Sequence, residues 1–189
     1  MNKLFIVSGP GGVGKDAIMA ELIKDKTLNI ARLVNCTSRN MRAGEIDGEK
    51  YRFLTRDEFE KEIGHGHMLE YEVMESNNHY YGTHKQTLLD ALEQSNVISD
   101  KLIKGALELK DSLKDQAALI FIDASDEELE RRLLESNRHL EHANANRRLE
   151  QGREERKSKH LYNFQVENHD GELENTIKKI RNYIKSQII

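Results

Sequence analysis

Lys3-Leu4-Phe5-Ile6-Val7-Ser8-Gly9-Pro10-Gly11-Gly12-Val13-Gly14-Lys15-Asp16 is the stretch that decides the fold. Residues 3–8 are a short apolar run that stops at glycine, the pattern of a buried strand. Gly9 to Lys15 then match G-x-x-x-x-G-K. Glycines at those positions let successive backbone N–H groups turn inward around a phosphate, the lysine adds a point charge, and a following helix adds its dipole. Residues 15–24 supply that helix, with Ala17, Ile18, Ala20, Leu22 and Ile23 at near-helical spacing. Strand, glycine turn and helix in this order read as a phosphate-binding unit. Gly9, Pro10, Gly11, Gly12, Val13, Gly14, Lys15 and Asp16 are therefore the candidate phosphate-binding residues.

Working outward, further apolar runs occur at 30–34, 96–98, 117–122 and 164–166. Helical patterns lie at 84–94, 103–114, 126–135 and 172–187, the last with Leu173, Ile177, Ile180 and Ile184 on one face. Strands alternating with helices predict an α/β fold, a three-layer α/β/α core with about five parallel strands. Two stretches break the rhythm. Residues 35–83 hold six of the eleven aromatic residues, and read as an inserted mixed α+β lobe of short strands and turns with one helix near 56–64. Residues 126–157 hold seven of the thirteen arginines, and read as a helical lid with a polar loop around 136–146. The expected division is a core of 1–34, 84–125 and 158–189, an acceptor lobe at 35–83 and a lid at 126–157.

Composition limits the partners. The chain has 189 residues and a net charge of −4, which argues against a dedicated nucleic-acid binder. No stretch approaches the roughly 18 apolar residues of a membrane span, and no secretory signal pattern is expected. The lone cysteine, Cys36, allows no internal disulfide, fits a reducing cytoplasm and reads as a small buried residue. His65-Gly66-His67 and His139-x-x-His142 have no cysteine or HExxH partner and sit in polar segments, so neither reads as a metal site.

The lobe carries the most specific chemistry. Thr37-Ser38-Arg39-Asn40-Met41-Arg42-Ala43-Gly44-Glu45-Ile46-Asp47-Gly48-Glu49-Lys50-Tyr51-Arg52-Phe53 places two arginines and a tyrosine around glycine turns. Arginine grips phosphate through a planar fork, and a tyrosine hydroxyl completes a cage. Leu69-Glu70-Tyr71 and Tyr80-Tyr81-Gly82-Thr83 follow. A carboxylate accepts two hydrogen bonds side by side, which suits the ring N–H and exocyclic amine of guanine.

With these residues in view, the chain resembles the guanylate kinases. Residues 37–53 follow the family pattern T-T-R-x-x-R-x-G-E-x-D-G-x-x-Y-x-F, Met68-Leu69-Glu70 matches F-L-E, and His79-Tyr80-Tyr81-Gly82-Thr83 matches N-Y-Y-G-T/S. The likeness runs from Leu4 to the final helix. It implies phosphorylation of GMP, and of dGMP, by ATP with Mg²⁺. It also implies that Arg39, Arg42, Tyr51 and Tyr81 hold the GMP phosphate and that Glu70 and Thr83 read guanine. Asn35 stands where the family has serine, and still offers a donor to the acceptor nucleotide.

Departures are equally informative. Asp16 replaces the usual serine or threonine of the loop and is read as an alternative Mg²⁺ ligand. Where the family has L-D-I-D-x-Q-G, this chain has Ser99-Asp100-Lys101-Leu102-Ile103-Lys104-Gly105. Asp100 keeps the first aspartate, implied to lie near metal and phosphate, while Leu102 and Lys104 replace the second aspartate and the glutamine. The lid keeps Arg131-Arg132-Leu133, Arg147-Arg148-Leu149 and Arg153-Glu154-Glu155. Arg148, and Arg138 as the nearest substitute for a lost R-G-T, are assigned with Lys15 and Arg39 to the transferring phosphate. The other lid arginines read as solvated i,i+4 partners of nearby glutamates. The expected partners are small nucleotides, with neither nucleic acid nor membrane, in a monomer or homodimer. The rival readings are a ribose bisphosphate kinase-like enzyme, suggested by the G-K-D loop, and a binding module with weak or no catalysis.

Overall fold

The structure, a computed structural model, describes residues 1–74, 78–135 and 142–188, the side chains of 142–145 excepted. Five strands form a sheet in the order β2-β7-β1-β8-β9. These are β1 (Leu4–Ser8), β2 (Ile30–Arg32), β7 (Asn96–Asp100), β8 (Ala117–Asp123) and β9 (Phe164–Glu167). Every neighbouring pair is parallel. Such a sheet is covered on both faces, so its strands are apolar throughout rather than alternating. All of β1 and β8 is buried accordingly.

The pleat sends alternate residues of β1 into different layers. Phe5 and Val7 face α1 (Lys15–Lys24) and α7 (Leu173–Gln187), joining Ile18, Leu22, Ile180 and Ile184. Leu4 and Ile6 face α3 (Lys85–Gln94) and α4 (Ile103–Leu113), joining Leu88, Ala106 and Leu109. Each such side chain contributes about 1.5–3 kcal/mol by leaving water. This three-layer α/β core meets the expectation of five parallel strands.

A second sheet, ordered β4-β3-β6-β5, is built from β3 (Asn35–Thr37), β4 (Tyr51–Phe53), β5 (Met68–Met74) and β6 (His79–His84). β3 runs parallel to β4 and antiparallel to β6. Helix α2 (Arg56–Gly64) starts at a reciprocal cap. Glu58 N–H donates to Thr55 Oγ1, and Thr55 N–H donates to Glu58 Oε2 at 2.7 Å. Phe59 fixes α2 to the sheet by stacking on Tyr80 at 5.0 Å. Cys36 lies inside, 1% exposed, and burial pushes its thiol up to about 11, so it is an unreactive packing residue.

Helices α5 (Asp126–Glu135) and α6 (His142–Lys157) follow β8. The polar loop expected at 136–146 is shorter, because residues 142–146 already belong to α6. Arg138 and His139 lie outside the described residues.

Candidate active site

The loop between β1 and α1 is shaped by backbone that side chains would obstruct. Gly9 has φ +141°, and a Cβ there would lie 1.9 Å from the carbonyl oxygen of Ile122. Gly14 caps α1 at φ +96°, a left-handed conformation, and no side chain closes that helix end. The first-turn amides of α1 are thereby left for a ligand. Asn168 braces the turn by donating through Nδ2 to the Val13 carbonyl at 2.9 Å.

Lys15 Nζ donates to the carbonyls of Gly9 and of Pro10, the latter at 3.0 Å. Burial lowers the Lys15 pKa, with Glu155, Asp100 and Asp16 opposing it. Beside the loop lies a cleft of about 370 Å³ whose cationic lining is Lys15, Arg132 and Arg148. The Arg148 side chain passes 3.8 Å from where a Gly11 Cβ would stand. Arg132 is held by Asp170 at 2.8 Å and by the Asn168 carbonyl at 2.7 Å, while its Nη1 is buried without an acceptor.

Asp16 points out of the loop. Lys50 Nζ donates to its Oδ1 at 2.8 Å, and Arg32 Nη1 lies 3.3 Å from the same oxygen. Burial would raise this carboxyl, but Lys50 and then Arg32 outweigh it and hold the pKa below its ordinary value. The same Arg32 nitrogen stands 3.8 Å from Asp100 Oδ1. Asp16 and Asp100 therefore address one cationic position.

A second cavity, about 200 Å³, extends from Lys15 toward the lobe and is lined by Asn35, Tyr51, Glu70, Tyr81, Asp100 and Lys101 among others. At its far end Glu70 is 4% exposed. Its Oε1 accepts from Thr83 Oγ1 and from Lys101 Nζ, both at 2.6 Å. Lys101 Nζ also donates to Asn35 Oδ1 at 2.8 Å, and Asn35 Nδ2 donates to Ser99 Oγ at 3.1 Å. Gly105 makes room for this arrangement, since a Cβ there would come 2.7 Å from Glu70 Oε2.

Arg39 forks onto Glu45 at 2.6 and 2.5 Å, and its guanidinium lies 5.2 Å from the ring centroids of both Tyr51 and Phe53. The side-chain bond from Arg39, then the Arg42 N–H, pulls the half-buried Glu45 carboxyl down to about 2. Tyr51 and Tyr81 meet edge to face at 5.9 Å, and burial raises the Tyr51 hydroxyl pKa. Arg42 is exposed at the rim.

The structure thus gathers Lys15, Asn35, Tyr51, Glu70, Tyr81 and Asp100 around one continuous space, with Thr83 buried behind Glu70 and Arg39 and Arg42 outside its lining. The lid arginines divide. Arg148 reaches the loop, whereas Arg131 binds Asp170, Arg153 binds Asp126, and Arg156 binds Asp123 and Asp126. These acids belong to other segments, so such pairs bridge elements, alongside the expected i,i+4 pairs Arg131–Glu135 at 3.5 Å and Arg132–Glu128 at 3.8 Å. Arg138, assigned to the phosphate from sequence, lies outside the described residues.

Sequence reasoning passed over Lys101, Arg132, Glu155 and Asn168 as site residues. Glu155, 8% exposed on α6, accepts from the Gly9 amide, its Oε2 has no partner, and burial lifts its pKa to about 7 against the pull of Lys15. The signal for Lys101 was its place beside Asp100 in a departing motif. The others come from distant segments that no local pattern joins to the loop.

Comparison with known proteins agrees with this geometry. The family model described as guanylate kinase matches residues 1–187. The chain is 31% identical over 187 residues to the guanylate kinase of Prochlorococcus marinus, covering 98% of each. It is 41% identical over 133 residues to that of Chlorobaculum tepidum, covering 69% of this chain and 67% of the relative. In fold it is similar to the crystal structure of guanylate kinase from Anaplasma phagocytophilum, with TM-score 0.77 and 24% identity over all of this chain and 87% of that one.

Proposed function

The chain belongs to the guanylate kinase family, and from that premise we propose how its own residues carry out ATP + GMP → ADP + GDP. The core, residues 1–34, 84–125 and 158–189, takes ATP at the Gly9–Asp16 loop. Residues 35–83 form the GMP lobe and 126–157 the lid. Transfer is in line, with positioning and electrostatics supplying the rate and no covalent intermediate on the enzyme.

Lys15 leaves the loop carbonyls for the ATP phosphates. Arg148, with Arg138, neutralises charge on the migrating group when the lid excludes water. Arg39, preset by Glu45, binds the GMP phosphate with Arg42, Tyr51 and Tyr81. Glu70 and Thr83 read guanine, and Asn35 supports them through Lys101. The observation that carries this assignment is a single space with Lys15 at one end and the buried Glu70 carboxylate at the other.

Mg²⁺ is the metal this chemistry calls for, and the residues fit it. Asp16 and Asp100 offer hard oxygen donors to a position that the Arg32 cation already shares. Held by Asp16 and Asp100, the ion would supply positive charge that offsets the phosphates. The net charge of −4 and the small cavities favour free nucleotides over nucleic acid as partners. No described helix is long and apolar enough to cross a membrane. Our reading places the enzyme in the cytoplasm as a monomer or homodimer.

The test is a panel of GMP, dGMP, AMP, UMP and ribose bisphosphate with ATP and Mg²⁺. GMP and dGMP should be turned over and the rest should not. Turnover of ribose bisphosphate without GMP would overturn the base-reading assignment. Tight GMP binding without transfer would instead leave a binding module.

A further inference from the structure

One sequence motif is not absorbed by the nucleotide cleft. His67, of His65-Gly66-His67, meets Glu62 five residues before it and His84 from a later strand. Its Nδ1 lies 2.7 Å from Glu62 Oε2, and His84 Nε2 lies 3.4 Å from that same oxygen. All three donor atoms fall within 4.8 Å of one another. We propose that Glu62, His67 and His84 form a Zn²⁺ site on the acceptor lobe, with water in the fourth position.

Two imidazole nitrogens and one carboxylate are a zinc donor set, and three protein ligands leave one place open. Tetrahedral Zn²⁺ with bonds of about 2.1 Å sets neighbouring ligand atoms about 3.4 Å apart. Glu62 and His84 already stand at that separation, and His67 must withdraw by less than an ångström. The ligands are held by backbone more than by loop freedom. His67 N–H donates to the Glu62 carbonyl at 3.0 Å, and Lys85 N–H donates to the His67 carbonyl at 2.8 Å. His84 caps α3, its Nδ1 lying 3.4 Å from both Thr87 N and Thr87 Oγ1. With Nε2 on the metal the ring would take the Nδ1–H tautomer, giving up its acceptance from Thr87 N–H to donate to Thr87 Oγ1, an outer hydrogen bond of the kind that fixes a ligating histidine.

The position gives the ion a structural task. Glu62 is on α2, His67 immediately precedes β5, and His84 ends β6 at the junction with α3. One ion would fasten α2 to the two strands that carry Glu70 and Thr83, and both to the first helix of the core beyond them.

The experiment is titration of the metal-stripped full chain with Zn²⁺ by calorimetry, and with Co²⁺ by visible absorption. One equivalent of Zn²⁺ and ligand-field bands of tetrahedral intensity are expected. His67→Ala and Glu62→Gln, both at positions outside the nucleotide cleft, should each weaken Zn²⁺ binding at least tenfold. The double variant His139→Ala, His142→Ala should bind as the unmodified chain does. Absence of stoichiometric binding, equal affinity in His67→Ala, or loss in the double variant would each overturn the proposal.

Discussion

The two ends of the cleft, which we propose take ATP and guanine, differ in how they are built. At the ATP end the site is backbone: glycines with positive φ, helix amides without a side-chain cap, and one lysine folded onto carbonyls. At the guanine end it is a closed set of side chains, Glu70 with Thr83, Lys101 and Asn35, and Arg39 with Glu45. The first waits with unsatisfied amides, and the second is satisfied by its own partners. An anion at the loop gains the uncapped helix amides and draws Lys15 from two exchangeable backbone carbonyls. A base at Glu70 must exchange with a buried ion pair, which is costly to disturb unless the exchange is matched in geometry. Discrimination therefore belongs to the second end and rate to the first.

The largest effect should come from removing the one charge both cavities share. Lys15→Ala is expected to lower kcat by about a thousandfold or more, since positive charge at the transferring group supplies most of the rate. A loss confined to KM in steady-state assays would break the division between the ends. Glu70→Gln should reduce the kcat/KM preference for GMP over AMP by about a hundredfold, with the KM for ATP changed less than twofold. Unchanged selectivity would remove Glu70 from base reading.

Glu155 tests whether the loop end is strained by its buried acid. Its folded pKa of about 7 lies above the ordinary 4.5. Ionisation is thus resisted in the folded chain, and stability should fall as pH rises from about 4.5 to 7, then level off. Glu155→Gln should erase that slope, gaining up to roughly 3 kcal/mol relative to the parent at pH 8 and much less at pH 5. Denaturant unfolding at both pH values checks this; an equal difference at the two would refute the buried-acid account. The smallest effect is expected at Asp16, exposed and paired with Lys50 and Arg32. Asp16→Ala should raise the Mg²⁺ concentration for half-maximal rate a few-fold, and Asp16→Ser should be tolerated. A normal Mg²⁺ titration in the alanine variant would remove Asp16 as a ligand.

The same contrast explains what the sequence disclosed. The loop was legible because its geometry is written in consecutive residues, apolar strand, glycines, lysine and helix. The five-stranded core was legible because fully buried parallel strands stay apolar along most of their length, as β1 does up to Ser8 and β8 up to Asp123. Arg39, Tyr51, Glu70 and Thr83 were found through linked motifs in one segment. Lys101 was hidden because its contact with Glu70 depends on how β7 ends beside β5, which no local spacing encodes. Arg132, Glu155 and Asn168 reach the loop from α5, α6 and the end of β9. The arginines of 126–157 were half legible for a related reason: Arg131 and Arg132 do meet Glu135 and Glu128 one turn away, but Arg131, Arg132 and Arg156 also bind acids that only the fold brings near.

Gly105 shows how narrow the tolerance at the guanine end is. It faces Glu70 Oε2, and the carboxylate it faces is already pinned by Thr83 and Lys101. A glycine becomes an alanine by one nucleotide change. Here that step would alter no charge, remove no hydrogen-bonding group and leave the ATP loop whole, yet Glu70 would have to yield by several tenths of an ångström. A lineage could thus lose its grip on guanine while keeping the phosphate loop, Arg39, Tyr51, Glu70 and Thr83 unchanged.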